Sequence, residues 1–160
     1  MQHTVGIKSD GSLWAWGWNA GGQLGDGTII DKLHPIKIGN DTDWQFISCG
    51  LVNTFAIKTD GTLWGWGYGE LGDGTNNNFI SPIQVVKDTD WSSVSCGYYH
   101  TTAIKTDGTL WTWGYNNDGQ LGNGTTIRYS SPIQIGSLTN WKQVSGGENH
   151  TVAITFTDLG

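Results

Sequence analysis

Three histidines stand at one recurring slot of this sequence, His3, His100 and His150, with Asn53 taking the slot in a fourth occurrence. Three imidazoles are a zinc complement on paper. The slots, however, are 50, 47 and 50 residues apart, which puts each histidine in a separate structural unit rather than around one ion. Hydrogen bonding within each unit is the expected role, and no metal is expected. Aspartates recur in the same way at Asp10, Asp60 and Asp107, each directly before a Gly. Asp-Gly is a turn-forming pair, so residue type and spacing are both explained by a turn and no acid/base pair emerges. The segments Asn40 to Trp44 (NDTDW) and Lys87 to Trp91 (KDTDW) resemble fragments of a calcium loop, but calcium is not expected. The third copy reads SLTNW, and no Glu closes a twelve-residue loop.

The Gly-rich LGDGT and LGNGT segments lack the Lys and the helical pattern of a phosphate cradle, so tight turns beside Leu24, Leu71 and Leu121 are expected. Neither a nucleophile elbow nor a zinc-protease motif nor a Cys-His pair is written in the chain. We therefore expect no catalytic residue, no cofactor and no enzymatic activity. Cys49 and Cys96 share one slot (ISCG, VSCG), where the third copy has Gly146. Equivalent positions on packed sheets lie about 10 Å apart, too far for the roughly 5.5 Å Cα separation of a disulfide, so two buried thiols are expected.

The elements that carry these residues come from repetition. DGTLWTWGYNNDGQLGNGT at Asp107–Thr125 returns as DGSLWAWGWNAGGQLGDGT at Asp10–Thr28, and in shortened form as DGTLWGWGYGELGDGT at Asp60–Thr75. A unit of about 50 residues is a solenoid or propeller period. Inside it the runs are strand-like: HTTAIKT and TLWTWG flank Asp107-Gly108, which predicts a hairpin with a two-residue turn. Paired tryptophans at i and i+2 (Trp14/Trp16, Trp64/Trp66, Trp111/Trp113) share one face while Leu13, Leu63 and Leu110 take the other. Sheets apolar on both faces must be sandwiched between neighbours. Pro35, Pro82 and Pro132, the three prolines of the chain, are each predicted to open a short outer edge strand. The small-residued runs after Trp44, Trp91 and Trp141 (QFISCG, SSVSCG, KQVSGG) are predicted as inner strands.

Gly supplies 25 of 160 residues, but 10 Trp and the absence of a triplet period argue for an ordered β fold over collagen or low complexity. The net charge of −6 and the lack of a basic run exclude nucleic acid as an expected partner. No apolar run approaches the length of a membrane span, and the N-terminus lacks an apolar leader segment, so a soluble protein with no membrane partner is expected, its compartment left open.

With H-T-x-A-I-K-T-D-G-x-L-W-x-W-G, then Q-L-G-x-G-T, then P-I-x-V/I, the chain resembles the regulator of chromosome condensation repeat family over roughly His3 to Ile154. The resemblance implies an all-β propeller with blades of four antiparallel strands, used as a rigid platform for binding proteins, and usually of about seven blades. We expect one repeat array over residues 1–160, with repeats at 3–52, 53–99 and 100–149 and a partial copy at 150–160. Three blades fall short of a closed ring, so KQVSGG of one copy is expected to complete the first blade of another, making a six-bladed homodimer. HTVAIT, which duplicates HTVGIK, has no role in that scheme.

The leading functional expectation is a non-enzymatic scaffold for an unidentified protein partner. Its candidate binding residues occupy the variable slot after each inner strand: Leu51 and Val52, Tyr98 and Tyr99, Glu148 and Asn149. The resemblance favours Tyr98 and Tyr99, because exposed aromatics anchor interfaces well. The loops at Trp18-Asn19-Ala20 and Asn116-Asn117-Asp118 are a second candidate surface. The alternative is carbohydrate stacking on Trp18, Tyr68 and Tyr115, which share one loop slot. Nucleotide exchange on a small GTPase follows from the resemblance alone, with no residues to carry it. A fragment of a longer propeller is the main competing expectation to the homodimer, and the close likeness of the copies also suits a self-assembling propeller fragment or an amplified or engineered unit with no separate ligand.

Overall fold

A computed structural model describes residues 3–156. Met1 and Gln2, and the end of the partial fourth repeat at 157–160, lie outside the described residues. The thirteen strands form four antiparallel sheets. The first contains β1 (His3–Ile7), β2 (Leu13–Gly17) and β3 (Lys32–Ile38). The second contains β4 (Trp44–Cys49), β5 (Asn53–Lys58), β6 (Leu63–Gly67) and β7 (Phe79–Gln84). The third contains β8 (Trp91–Cys96), β9 (His100–Lys105), β10 (Leu110–Gly114) and β11 (Tyr129–Gln134). β12 (Trp141–Gly146) and β13 (Thr151–Thr155) make the fourth. The two central sheets are thus complete four-stranded blades. Among the described residues the first has no inner strand, and the last consists of an inner and a second strand.

Each sequence repeat straddles two sheets, because a repeat counted from the histidine slot ends on the inner strand of the next blade. Neighbouring sheets meet through these inner strands: β1 packs on β4, β4 and β5 on β8, and β8 and β9 on β12. HTVAIT therefore has a place. It is β13, paired with β12 in the register Val144↔Ala153 that repeats Ile47↔Ala56 of the second blade.

Two predicted details change. The hairpin loop has three residues, Ser9-Asp10-Gly11 in the first sheet: Gly11 N donates to Lys8 O at 2.9 Å, and Lys8 N to Ser12 O at 3.0 Å. That is a tight turn followed by a left-handed residue, and the positive φ is on Gly11 (77°) alone, no non-Gly residue among those described having one. Asp10 instead accepts from the backbone and hydroxyl of Ser12, at 3.0 and 2.6 Å, and Ser12 in turn accepts from Trp14 Nε1 at 2.9 Å. The prolines also do not open their strands. Pro35, Pro82 and Pro132 lie inside β3, β7 and β11, beside a register shift in the pairing to the strand within. They remain on the outermost strand, where a missing N–H breaks no ladder.

The cores sit between sheets. Val5, Leu13, Leu24 and Ile38 of the first sheet close on Trp44, Ala56 and Trp66 of the second. Phe55, Ile57, Leu63 and Leu71 of the second close on Trp91, Val94 and Trp113 of the third. Trp66 and Trp113 are fully buried. Trp16, their equivalent on the uncovered face of the first sheet, is only half-buried. At the other end, Val152 and Ile154 of β13 stand exposed.

Candidate functional site

The connections that follow the inner strands gather at one end of the array. Leu51 N donates to Tyr98 O and Tyr98 N to Glu148 O, both at 3.3 Å, so the variable slots of three blades are joined by backbone bonds into one row. Within each blade the row meets the loop after the third strand: Tyr68 N donates to Val52 O and Tyr115 N to Tyr99 O, both at 2.9 Å. Gly67 and Gly114 permit this approach. Their φ values are 106° and 100°, and a Cβ on either would fall about on the Val52 or Tyr99 carbonyl oxygen, at 2.4 and 2.6 Å.

Sequence reasoning assigned the variable slots and the Trp18, Tyr68, Tyr115 slot to different ligands, and the structure makes Tyr68 and Tyr115 neighbours of the variable slots. Tyr98 and Tyr99 lie edge to face with centroids 6.5 Å apart, and Tyr99 and Tyr115 lie 6.3 Å apart. Arg128 covers Tyr115, its Cζ 4.3 Å from the ring centroid, and reaches Glu70 of the second blade at 3.6 Å. Tyr99 is 43% exposed at the middle of this group. Leu51 and Val52 flank it half-buried, while Glu148 and Asn149 flank it exposed. Trp18 is half-buried and Tyr68 exposed, each on its own blade.

Sequence reasoning missed Arg128. The available signal was that it is the one arginine of the chain, in a slot that holds Asp31 and Asn78 in the other copies. In those copies the slot side chain also serves the loop, Asp31 accepting from Asn19 N at 2.8 Å and Asn78 from Gly69 N at 3.2 Å.

The second candidate surface is altered more deeply. Asn19 and Asn116 are fully buried. Asn116 Nδ2 donates to the carbonyls of Thr125 and Ile127, both at 2.9 Å, and its Oδ1 accepts from Leu121 N at 3.0 Å. Asn19 does the same for its loop, so these two asparagines organise the loops and are closed to a ligand.

Two of the three slot histidines bond between blades, not within them, and the third, His150, is exposed. His3 and His100 are buried and meet Thr54 and Thr151 of the following blade. Among the described residues no group of three His, Cys, Asp or Glu side chains could hold a metal ion. Cys49 and Cys96 are free, and burial pushes their thiols up to about 11 and about 12. No helix of the described residues is long and apolar enough to cross a membrane.

The model of the regulator of chromosome condensation (RCC1) repeat matches residues 10–57, 60–104 and 107–154, and a second model of the same repeat matches 91–120. The chain belongs to this repeat family. Over 55 residues it is 38% identical to the ultraviolet-B receptor UVR8 of Arabidopsis thaliana, covering 33% of this chain and 12% of the receptor. Its fold is similar to that of human WBSCR16, with a TM-score of 0.87 at 23% identity over 99% of this chain and 43% of that one. It is also similar to Prp20p of Saccharomyces cerevisiae, with a TM-score of 0.82 at 21% identity over 98% of this chain and 43% of that one. The chain thus spans less than half the length of these RCC1-type propellers.

Proposed function

We propose that the chain is a non-enzymatic protein-binding platform, and that its partner docks on the loop end centred on Tyr99. Tyr98, Tyr115 and Arg128 make the centre of this surface, with Leu51, Val52, Glu148 and Asn149 at its rim. The observation that carries the reading is the contact chain Tyr98–Tyr99–Tyr115–Arg128. Tyrosine and arginine are the residues from which binding hot spots are made, and here they stand on loops tied to a rigid sheet array. The yeast propeller Prp20p has been described for its binding to Gsp1p and histones, and as a complex with Kap60, which supports protein recognition as the kind of function to test.

A photo-crosslinking residue at position 99, compared with one at Gln134 on the outer strand, tests the proposal in an extract of the source organism. A discrete adduct from position 99 that disappears with Arg128→Ala supports it. Equal labelling from both positions removes the support. Carbohydrate stacking on the face of Tyr115 that Arg128 covers must displace the guanidinium, so glycan-array binding that Tyr115→Ala abolishes while Arg128→Ala strengthens it would replace the protein partner with a sugar.

A six-bladed ring of two copies is the second reading, and two observations favour it: among the described residues no strand pairs with β1 on the edge away from β2, and β13 has nearly the same sequence as β1. Exchange would require β13 to leave β12. A stable solution mass of about twice 17.4 kDa across a dilution series is the expected result of that ring, and a monomer excludes it.

A further inference from the structure

The rings at one loop slot, Trp18, Tyr68 and Tyr115, differ in what lies over them. Over Tyr115 stands the Arg128 guanidinium, 4.3 Å from the centroid. The same group reaches a Glu70 carboxylate oxygen of the second blade at 3.6 Å, and its Nε donates to Asn117 Oδ1 at 3.5 Å. An aromatic face, a carboxylate and an amide oxygen are what a guanidinium can use together, stacking on the first while its edge donates to the others. The slot that supplies this arginine holds Asp31 in the first copy and Asn78 in the second, neither of them a cation. Tyr68 is 54% exposed, and among the described residues no cation lies over it or over Tyr99.

Charge separates along the strands. The loops after β2, β6 and β10 (18–31, 68–78 and 115–128) and those after the inner strands (50–52, 97–99 and 147–150) share one end of the array. They carry Asp26, Asp31, Glu70, Asp73, Asp118 and Glu148 against one cation, Arg128. Lys32 neutralises Asp26 at 3.0 Å, whereas no cation among the described residues pairs with Asp118 or Glu148, both exposed. The lysines other than Lys32 stand at or near the opposite end of their strands. The end that carries Tyr99 therefore presents an excess of negative charge, which attracts a cationic surface and repels an acidic one.

We propose that the partner of this surface presents a basic segment, and that its arginines lie on the bare rings of Tyr68 and Tyr99 as Arg128 lies on Tyr115. Asp118 and Glu148 supply the counter-charge. The inference rests on the platform reading above and adds the chemistry of the partner. The two rings belong to one row: Tyr68 N donates to Val52 O at 2.9 Å, and Leu51 N to Tyr98 O at 3.3 Å, so neighbouring blades present them side by side. Arginine is specified over lysine because only the planar guanidinium stacks on a ring while donating from its edge.

The test uses a short fluorescent peptide of alternating Arg and Ser, with Lys-Ser and Glu-Ser peptides for comparison, and reads binding to the full chain by anisotropy. Tyr68→Leu and Tyr99→Leu remove the rings without changing the charge of the protein. The Arg peptide is expected to bind more tightly than the Lys peptide, and each Leu variant to weaken it about two- to fivefold. The pair Asp118→Asn with Glu148→Gln should weaken both basic peptides. Excess Arg peptide should also suppress the adduct formed from a photo-crosslinking residue at position 99. Binding of Arg and Lys peptides alike, untouched by either Leu variant, would reduce the attraction to net charge and overturn the proposal, as would preference for the Glu peptide. An adduct at position 99 that excess Arg peptide leaves undiminished overturns the basic partner and keeps the platform. Equal labelling at positions 99 and 134 beside ring-dependent peptide binding fails the platform reading alone.

Discussion

His3 Nε2 and Thr54 Oγ1 are 2.9 Å apart across the boundary between the first two sheets. The Thr54 hydroxyl donates its own proton to Gln23 O at 2.8 Å, so the imidazole must be the donor and its proton is on Nε2. His100, Thr151 and Gln120 O repeat the arrangement at 3.0 and 2.8 Å. Nδ1 of each ring is buried with no hydrogen-bond partner among the described residues, and burial lowers both pKa values to about 4.

These two histidines predict acid sensitivity. Their pKa values lie near 6.5 in the unfolded chain, which therefore binds more protons than the folded one as pH falls below about 6.5. Stability is lost from there down to about pH 4. By pH 5 the loss is about 1–2 kcal/mol per histidine, allowing for partial solvent screening. Urea midpoints at pH 7, 6 and 5 should fall in step, and the double variant His3→Asn, His100→Asn, which copies the Asn53 slot, should flatten the slope. An unchanged slope in that variant would show that other groups carry the acid response.

Gly61 has a φ of 78°, and a Cβ there would meet the Thr89 carbonyl oxygen at 2.1 Å, because the turn before β8 docks on this hairpin through Trp91 N and Gly61 O at 3.1 Å. Gly39 has a φ of 63° with open space around it. Gly61→Ala should therefore cost about 3 kcal/mol or more, and Gly39→Ala about 1 kcal/mol from backbone strain alone. Thermal unfolding of the two variants measures the difference, and similar losses would mean that the docked turn gives way freely.

Thiol reactivity is expected to be low. With Cys49 at about 11 and Cys96 at about 12, little thiolate exists at pH 8. Cys96 is held further by its Sγ–H, which donates to Ser48 O at 3.4 Å. Labelling with a disulfide reagent should be slow for both and slowest for Cys96, and it should become immediate in denaturant. Fast labelling of Cys49 in the folded state would show that the interface between the first two blades opens readily, and of Cys96 that the interface between the second and third does.

Trp113 is fully buried and packs edge to face on Phe55 of the preceding blade, centroids 5.6 Å apart. Trp113→Ala should cost about 3–5 kcal/mol, whereas Trp16→Ala, on the uncovered face, should cost about 1–2 kcal/mol. Equal effects, read from urea unfolding, would indicate that Trp16 is covered in solution.

The blades were legible in the sequence because their determinants are local: Asp-Gly turns, paired tryptophans and small inner strands recur within each unit. The edge position of the prolines followed from their missing N–H. Their place inside the strand did not, because it depends on a bulge that forms only when β2 pairs with β3. Likewise, Tyr99 could be named as a candidate, but its contact with Tyr115 and the cover that Arg128 gives Tyr115 arise where two loops of one blade converge. Asn19 and Asn116 looked like loop surface because polarity was read without the carbonyls that bury them. The histidine bonds crossed a unit boundary, and periodicity carries no information about which side of that boundary a side chain faces.

The offset between repeat and sheet has a kinetic consequence. Each repeat contributes its inner strand to the next sheet, so unfolding one repeat removes a strand from its neighbour's ladder, and opening should spread inward from the two incomplete sheets. β5 and β9 are buried along their whole length, whereas β13 alternates between exposed and half-buried positions. Amide exchange should accordingly be slowest in β5 and β9 and fastest in β13, so that the array behaves as a zipper sewn at its middle and loose at its ends.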